Sequence, residues 1–358
     1  MTMTDVERRI REEIGREGPI GFDRFMEMAL YAPDAGYYER GDRAIGCGGD
    51  FYTSVSVGPV LGFLVAWQIA VWCRDWDRVE VVEAAAHDGQ WAEDILGAIE
   101  RFHPGLWPRV GYRIVEPSKR RREAQRRRLE GWGERVSWAD GWESMGGPFE
   151  GVLVANELLD AFPVRRFGWD AVLGEWFEWG VTIEGGALGW VRIPGRVPDL
   201  GPEVRGIEPY LPDGFVMERC PRAGEWWRRA AGQLRRGWLV TFDYGLPGGG
   251  WPSPERMSGT LRGFYRHRRE DDLLARPGEQ DLTASVDFEA LERIGVGEGL
   301  RTEAHVAQGR WLGAVAARVL EAGGEGAGWL EERSRMLQTL IHPGHLGQTH
   351  RVLVQARP

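Results

Sequence analysis

Cysteine is scarce, with three in 358 residues: Cys47, Cys73 and Cys220. They are scattered without ligand spacing, which excludes a disulfide framework and a zinc site and points to a metal-free chain in a reducing cytoplasm. Long apolar runs are also missing. The longest, Val60–Cys73, is interrupted by Gln68 and too short to cross a bilayer, so it reads as a buried helix. Asp5, Glu7 and Glu12 stand where a signal segment would be apolar. Lysine is almost absent: of 45 basic residues only Lys119 is one, and 54 acidic residues leave a net charge of -9. That balance argues against a general nucleic-acid binder and admits a basic partner. The 18 tryptophans are most simply core filling. The run KRRREAQRRR, Lys119–Arg128, is broken by Glu123 and reads as a solvated helix face.

What is present is an α/β rhythm. At 358 residues the chain suits one large or two modest domains. Val6, Ile10 and Ile14, then Phe22, Phe25, Met26 and Leu30, predict an N-terminal helical segment within residues 1–75. VEVVEAAAHDG, Val79–Gly89, predicts a buried parallel strand at 79–83, a small-residue turn that Asp88 caps, and a helix over 90–101. The turn offers free backbone N–H groups to an anion, and Glu83 suits a cationic or hydroxyl-bearing group. Strands follow at 110–116, 136–138 and 150–155, with a helix over 119–131, so 76–164 forms the first part of a doubly wound core. Glu116 ends the second strand, where a carboxylate can bind both hydroxyls of a ribose. Asp140, after the third, suits an adenine amino group or a helix cap.

The fourth strand runs into Asn156, Glu157 and Asp160, at the sheet end where such folds place reacting groups. The two carboxylates suit a substrate cation; Asn and Asp also suit caps. Residues 165–220 break the rhythm with an alternating pattern that turns at Gly185–Gly186, an inserted β-rich substrate subdomain. The core resumes over 221–358, with a helix at 222–236, a strand at 238–244, helices within 309–340, and a strand at 351–356 that completes the sheet as an antiparallel hairpin.

GPIGFDRFMEMALYAPDAGYY at 18–38, GGDFYTS at 48–54, ANELLDAFPV at 155–164, DYG at 243–245, GTLRGFYRH at 259–267 and PGEQDLTASVDF at 277–288 together resemble the MidA-like class I S-adenosylmethionine-dependent methyltransferases. Their mitochondrial member is an arginine methyltransferase assisting respiratory complex I assembly. The resemblance spans most of the chain. It implies a Rossmann-like seven-stranded sheet and S-adenosylmethionine contacts from Gly49, Asp50, Thr53, Ser54, Glu83, Gly89, Glu116, Asp140 and Asn156. It also implies a reaction region at Asn156, Glu157 and Asp160, with Glu157 and Asp160 orienting a guanidinium and taking its proton. The acceptor expected is a protein side chain of arginine type. A small-molecule O- or N-methyltransferase and a catalytically degenerate assembly or binding factor are the alternatives, and a homodimer is compatible with either. Two departures stand out. The family's first loop reads E-x-G-P-G-x-G, but here Ala85 and His87 occupy glycine positions, with His87 a candidate contact to the methionine end of the cofactor. Val55-Ser56-Val57-Gly58 replaces P-E-[IV]-S, removing a carboxylate. If residues 85 and 87 need φ > 0, each Cβ costs about 1 kcal/mol or more.

Overall fold

In the computed structural model, residues 3–40, 53–195, 197–201, 204–245, 256–266 and 268–358 are described. The chain forms two units, each assembled from three stretches. One comprises 1–52, 159–223 and 246–287; the other comprises 53–158, 224–245 and 288–358.

The second unit holds a seven-stranded sheet. Its strands are β1 Val79–Ala84, β2 Val110–Val115, β3 Val136–Ala139, β4 Phe149–Asn156, β5 Leu234–Tyr244, β6 Arg301–Ala307 and β7 His350–Arg357. Their spatial order is β6-β7-β5-β4-β1-β2-β3. The five strands from β5 to β3 are parallel, while β7 runs antiparallel to both β5 and β6. The antiparallel closure of the sheet expected from the sequence is therefore present, but not as a hairpin: β6 and β7 pair across four intervening helices.

Val152, Leu153, Val154 and Ala155 are all fully buried, the continuous apolar run that a parallel strand covered on both faces requires. Helices Val60–Trp72, Gln90–Phe102 and Gln308–Ala322 supply the apolar layers, through Leu61, Leu64, Ile95, Leu96, Leu312 and Val315 among others. Val60–Trp72 is the buried helix its sequence predicts. At the centre β4 must approach its neighbours closely: a Cβ on Gly151 (φ 155°) would lie 1.8 Å from the Glu80 carbonyl oxygen, and one on Gly237 1.8 Å from that of Gly151. Only glycine fits there.

In the first unit, helices Asp5–Glu17 and Phe22–Tyr31 bury Val6, Ile10, Phe22, Phe25, Met26 and Leu30. A β-hairpin pairs Glu175–Glu184 with Ala187–Ile193 through Gly185 (φ 58°) and Gly186 (φ 83°), both left-handed as a two-residue turn demands. Strands Arg165–Asp170 and Val216–Arg219 extend that sheet. The GTLRGFY stretch is anchored by buried Glu218, which accepts hydrogen bonds from the Thr260 N–H (2.7 Å) and hydroxyl (3.1 Å) and pairs with Arg166 at 3.0 Å. No helix among the described residues is long and apolar enough to cross a membrane.

Candidate active site

Beyond β1 the backbone turns left-handed three times in five residues: Ala85 (φ 57°), His87 (φ 47°) and Gly89 (φ 88°). These are the three positions where the glycine-rich pattern would place glycine, so the loop keeps the conformation without two of the residues that favour it. Ala85 and His87 each carry a strain of roughly 1–2 kcal/mol in that region. Surrounding bonds hold them. The Ala85 N–H donates to the Val115 carbonyl (3.0 Å) and the Gly89 N–H to that of Ala86 (2.7 Å), while the His87 carbonyl accepts from Gln125 Nε2 at 3.0 Å. Gln125 is fully buried within the arginine-rich helix Lys119–Arg128 and also accepts from Trp138 Nε1 at 3.1 Å. That helix is a solvated face with one inward post. Gly89, not Asp88, occupies the cap position of the next helix; Asp88 Oδ1 accepts the Gln90 N–H at 3.1 Å and Oδ2 meets Arg128 at 2.8 Å. Burial raises the Asp88 carboxyl, but the adjacent His87 imidazole at 3.6 Å, the Gln90 N–H and Arg128 outweigh it, leaving about 2.

Two buried carboxylates stand at the ends of adjacent strands, Glu83 on β1 and Glu116 just past β2, with Glu83 opposite Ile114 in register. Burial pushes Glu83 up to about 8, against the lowering effect of the Tyr112 hydroxyl, which donates to Oε2 at 2.6 Å. Glu116 accepts from the Ser118 N–H at 3.0 Å and from Gln125 Nε2 at 3.4 Å. Asp94 is pushed up to about 7 by burial. Asp140 is exposed, and its hydrogen bond with Ser144 holds its carboxyl below the usual range.

At the end of β4, Asn156 is the chain's only asparagine. Glu157 follows in a left-handed conformation, φ 47°, fixed by its N–H on the Phe242 carbonyl at 2.8 Å. Strain of this kind in a non-glycine residue gathers at functional positions. The Glu157 side chain is 5% exposed. Its Oε1 accepts from the Ser54 N–H (2.7 Å) and Asn156 Nδ2 (3.4 Å) and lies 3.4 Å from His350 Nε2. Oε2 is buried and has no hydrogen-bond partner among the described residues, as is true of Asn156 Oδ1. Ser54 is fully buried, its hydroxyl on Gln308 Oε1 at 3.3 Å. Thr53 closes a reciprocal turn with Ser56, N–H to Oγ at 2.9 Å and back at 3.1 Å. Asp243 of the DYG triplet ties strand ends together, accepting from the Leu158 and Tyr244 N–H groups.

The structure thus brings Ser54, Asn156 and Glu157 into one cluster, and Glu83, Gln125 and Glu116 into another. Gly49 and Asp50 lie outside the described residues. Asp160 belongs to the other unit, where its buried carboxylate adds, after burial, Asp281 and Tyr31, to the forces raising the Tyr38 hydroxyl. Sequence reasoning missed Tyr112, Gln125, Gln308 and His350. The one available signal was a glutamine alone among arginines.

A family model described as "Putative S-adenosyl-L-methionine-dependent methyltransferase" matches residues 64–306. The chain belongs to the MidA-like S-adenosylmethionine-dependent methyltransferases. A crystal structure from Burkholderia thailandensis with S-adenosyl-homocysteine bound is 31% identical, with a TM-score of 0.85 over 98% of this chain and 92% of that one. A native crystal structure from the same organism gives 0.83 at 31% identity, covering 98% and 91%. The mitochondrial protein arginine methyltransferase NDUFAF7 of Xenopus tropicalis is 28% identical over 84% of this chain and 73% of its own length; that of Mus musculus is 28% identical over 83% and 71%. The seven-stranded fold, the enzyme class and S-adenosylmethionine as methyl donor follow from this membership. The donor set fits that cofactor: carboxylates for hydroxyls and cations at two neighbouring strand ends, a left-handed loop presenting backbone, and buried oxygens without partners beside it.

Proposed function

We propose that this methyltransferase of the MidA-like family acts on a protein side chain of the arginine type, and that Glu157 is its catalytic carboxylate. The observation that supports this reading is the buried, unpartnered Oε2 on a strained backbone at the end of β4. Burying a carboxylate oxygen unpaired is costly, so the position suits a residue awaiting a cation. The relatives named as arginine methyltransferases support the same acceptor. Bound S-adenosylmethionine supplies an electrophilic methyl carbon. Glu83 and Glu116, with the 85–89 loop, Asp140 and Thr53–Ser54, hold it; Asn156 borders its reactive end. Glu157 Oε2 orients the guanidinium and takes the proton released on methylation, a task that needs a positioned base because free arginine keeps its proton to a pKa above ~12. With Cys73 and Cys220 both free, a reducing compartment, the cytoplasm, is the proposed location.

Ala85 and His87, the two departures behind the degenerate-factor alternative, both adopt the left-handed backbone that the glycine pattern calls for, which supports the reading of a loop that still takes the cofactor. The test uses methyl-tritiated S-adenosylmethionine with an arginine-rich peptide, followed by acid hydrolysis. Methylated arginine is expected, and label found only on other groups would overturn the acceptor assignment.

A further inference from the structure

The proton that leaves the acceptor nitrogen needs a way out of a carboxylate that is 5% exposed. We infer that His350 is that exit: it takes the proton from Glu157 and passes it to solvent at Thr349. The inference rests on the acceptor reading above for the proton's origin, and on geometry for its path. His350 opens β7 opposite Tyr244 of β5 and is fully buried. Its Nε2 lies 3.4 Å from Glu157 Oε1. The contact falls short of a formed hydrogen bond, since Nε2 has no such partner, and a small rotation of the carboxylate closes it. On the other side of the ring Nδ1 is 3.2 Å from Thr349 Oγ1, and Thr349 is exposed. A buried carboxylate, an imidazole with one edge on it, and a surface hydroxyl on the other edge form a continuous path.

The groups around the ring leave it this role. The Tyr244 ring lies 3.9 Å from it, centroid to centroid. Asp243 is engaged by two backbone N–H groups, and Arg351 donates through Nε to His305 Nε2 at 3.3 Å. Thr349 Oγ1 also donates to the His345 carbonyl at 3.4 Å, so its proton has a second direction. In the step itself, the C–N bond forms as the C–S bond breaks and its electron pair goes to sulfur. The N–H proton moves to Glu157, then to His350 Nε2. The imidazolium so formed loses its Nδ1 proton through the Thr349 hydroxyl to water. His350 touches neither substrate nor cofactor and acts through Glu157.

Two measurements test this. The first follows solvent exchange of the His350 ring N–H by 15N NMR in the cofactor-free protein. Thr349→Val, a surface change that leaves the fold intact, is expected to slow exchange about tenfold or more, and unchanged exchange overturns the exit path whatever the acceptor is. The second uses the arginine-rich peptide: His350→Gln is expected to lower turnover roughly 100-fold, the low end for a lost acid–base group, with S-adenosylmethionine affinity by calorimetry unchanged. Added imidazole is expected to restore turnover to His350→Gly. Wild-type turnover in His350→Gln, with an unaltered pH profile, overturns the role of the ring. Absence of methylarginine from the wild type would sink the acceptor reading instead, and the exchange measurement would still decide the path.

Discussion

Ala85 offers a sharp test of the loop's energetics. Its φ of 57° places a Cβ in the region where an L-residue pays roughly 1–2 kcal/mol, while glycine costs ~0.5–1 kcal/mol through the extra freedom it loses on folding. The difference predicts that Ala85→Gly stabilises the protein by about 0.5–1 kcal/mol. Ala86, the adjacent residue, provides the control, because it lies outside the left-handed set and is 5% exposed. Ala86→Gly gains nothing from relieved strain, loses a buried methyl worth ~0.8 kcal/mol and keeps the entropy cost, so it should destabilise by about 1–2 kcal/mol. Two identical substitutions on neighbouring residues should therefore move the urea midpoint in opposite directions at constant m. Both moving down by similar amounts would show that the loop is not left-handed at Ala85, and that its departure from the glycine pattern had changed its shape.

Gln125→Leu leaves the His87 carbonyl and Trp138 Nε1 without their partner; a loss of about 2–3 kcal/mol is expected by denaturant titration, with weaker S-adenosylmethionine binding through the loosened loop. Glu83, raised to about 8 from an unfolded value near 4.5, binds more protons folded than unfolded between those pH values. Its contribution to stability is complete below the unfolded value and lost as pH rises through about 8, on the order of a few kcal/mol, and Glu83→Gln should flatten that decline in a pH series of urea melts. Glu157→Gln is expected to leave S-adenosylmethionine affinity nearly intact while depressing turnover about 100-fold or more; equal loss of both would assign the residue to cofactor binding or folding.

The parallel strands were legible because burial on both faces favours apolar runs rich in β-branched residues, such as Val152–Ala155 and the Val79, Val81 and Val82 set broken only by Glu80. β6 was not: RTEAHVA mixes charge with small residues along one edge of the sheet, where burial is partial. Its partner β7 was visible from its apolar run, so the antiparallel closure of the sheet was expected with one strand unplaced. Glu83, Glu116 and Glu157 could be found as polar residues ending apolar strands. The residues that buttress them could not. Ser54, Glu157, Gln308 and His350 come from four distant stretches, and no spacing rule links them; only the sheet order that seats β7 beside β5 brings His350 to Glu157. The left-handed backbone at Ala85 was foreseeable only from the glycine pattern it replaces, while His87 is of a type that tolerates that region better than most.

The position of β7 also governs how the protein must be made. This strand, nearest the C-terminus, lies inside the sheet between β5 and β6, not at its rim. Roughly 270 residues separate the emergence of β1 from that of β7, which at ~5–20 residues per second is about 15–50 s of translation. β5 begins about 115 residues before β7 and β6 about 50, so β5 waits roughly 6–23 s and β6 roughly 2–10 s for the strand that joins them, each with an unpaired backbone edge open to any other nascent chain. Folding of the sheet is therefore completed after the ribosome has delivered its last strand, and yield should depend on translation speed and chaperone supply more than on the stability of the finished enzyme.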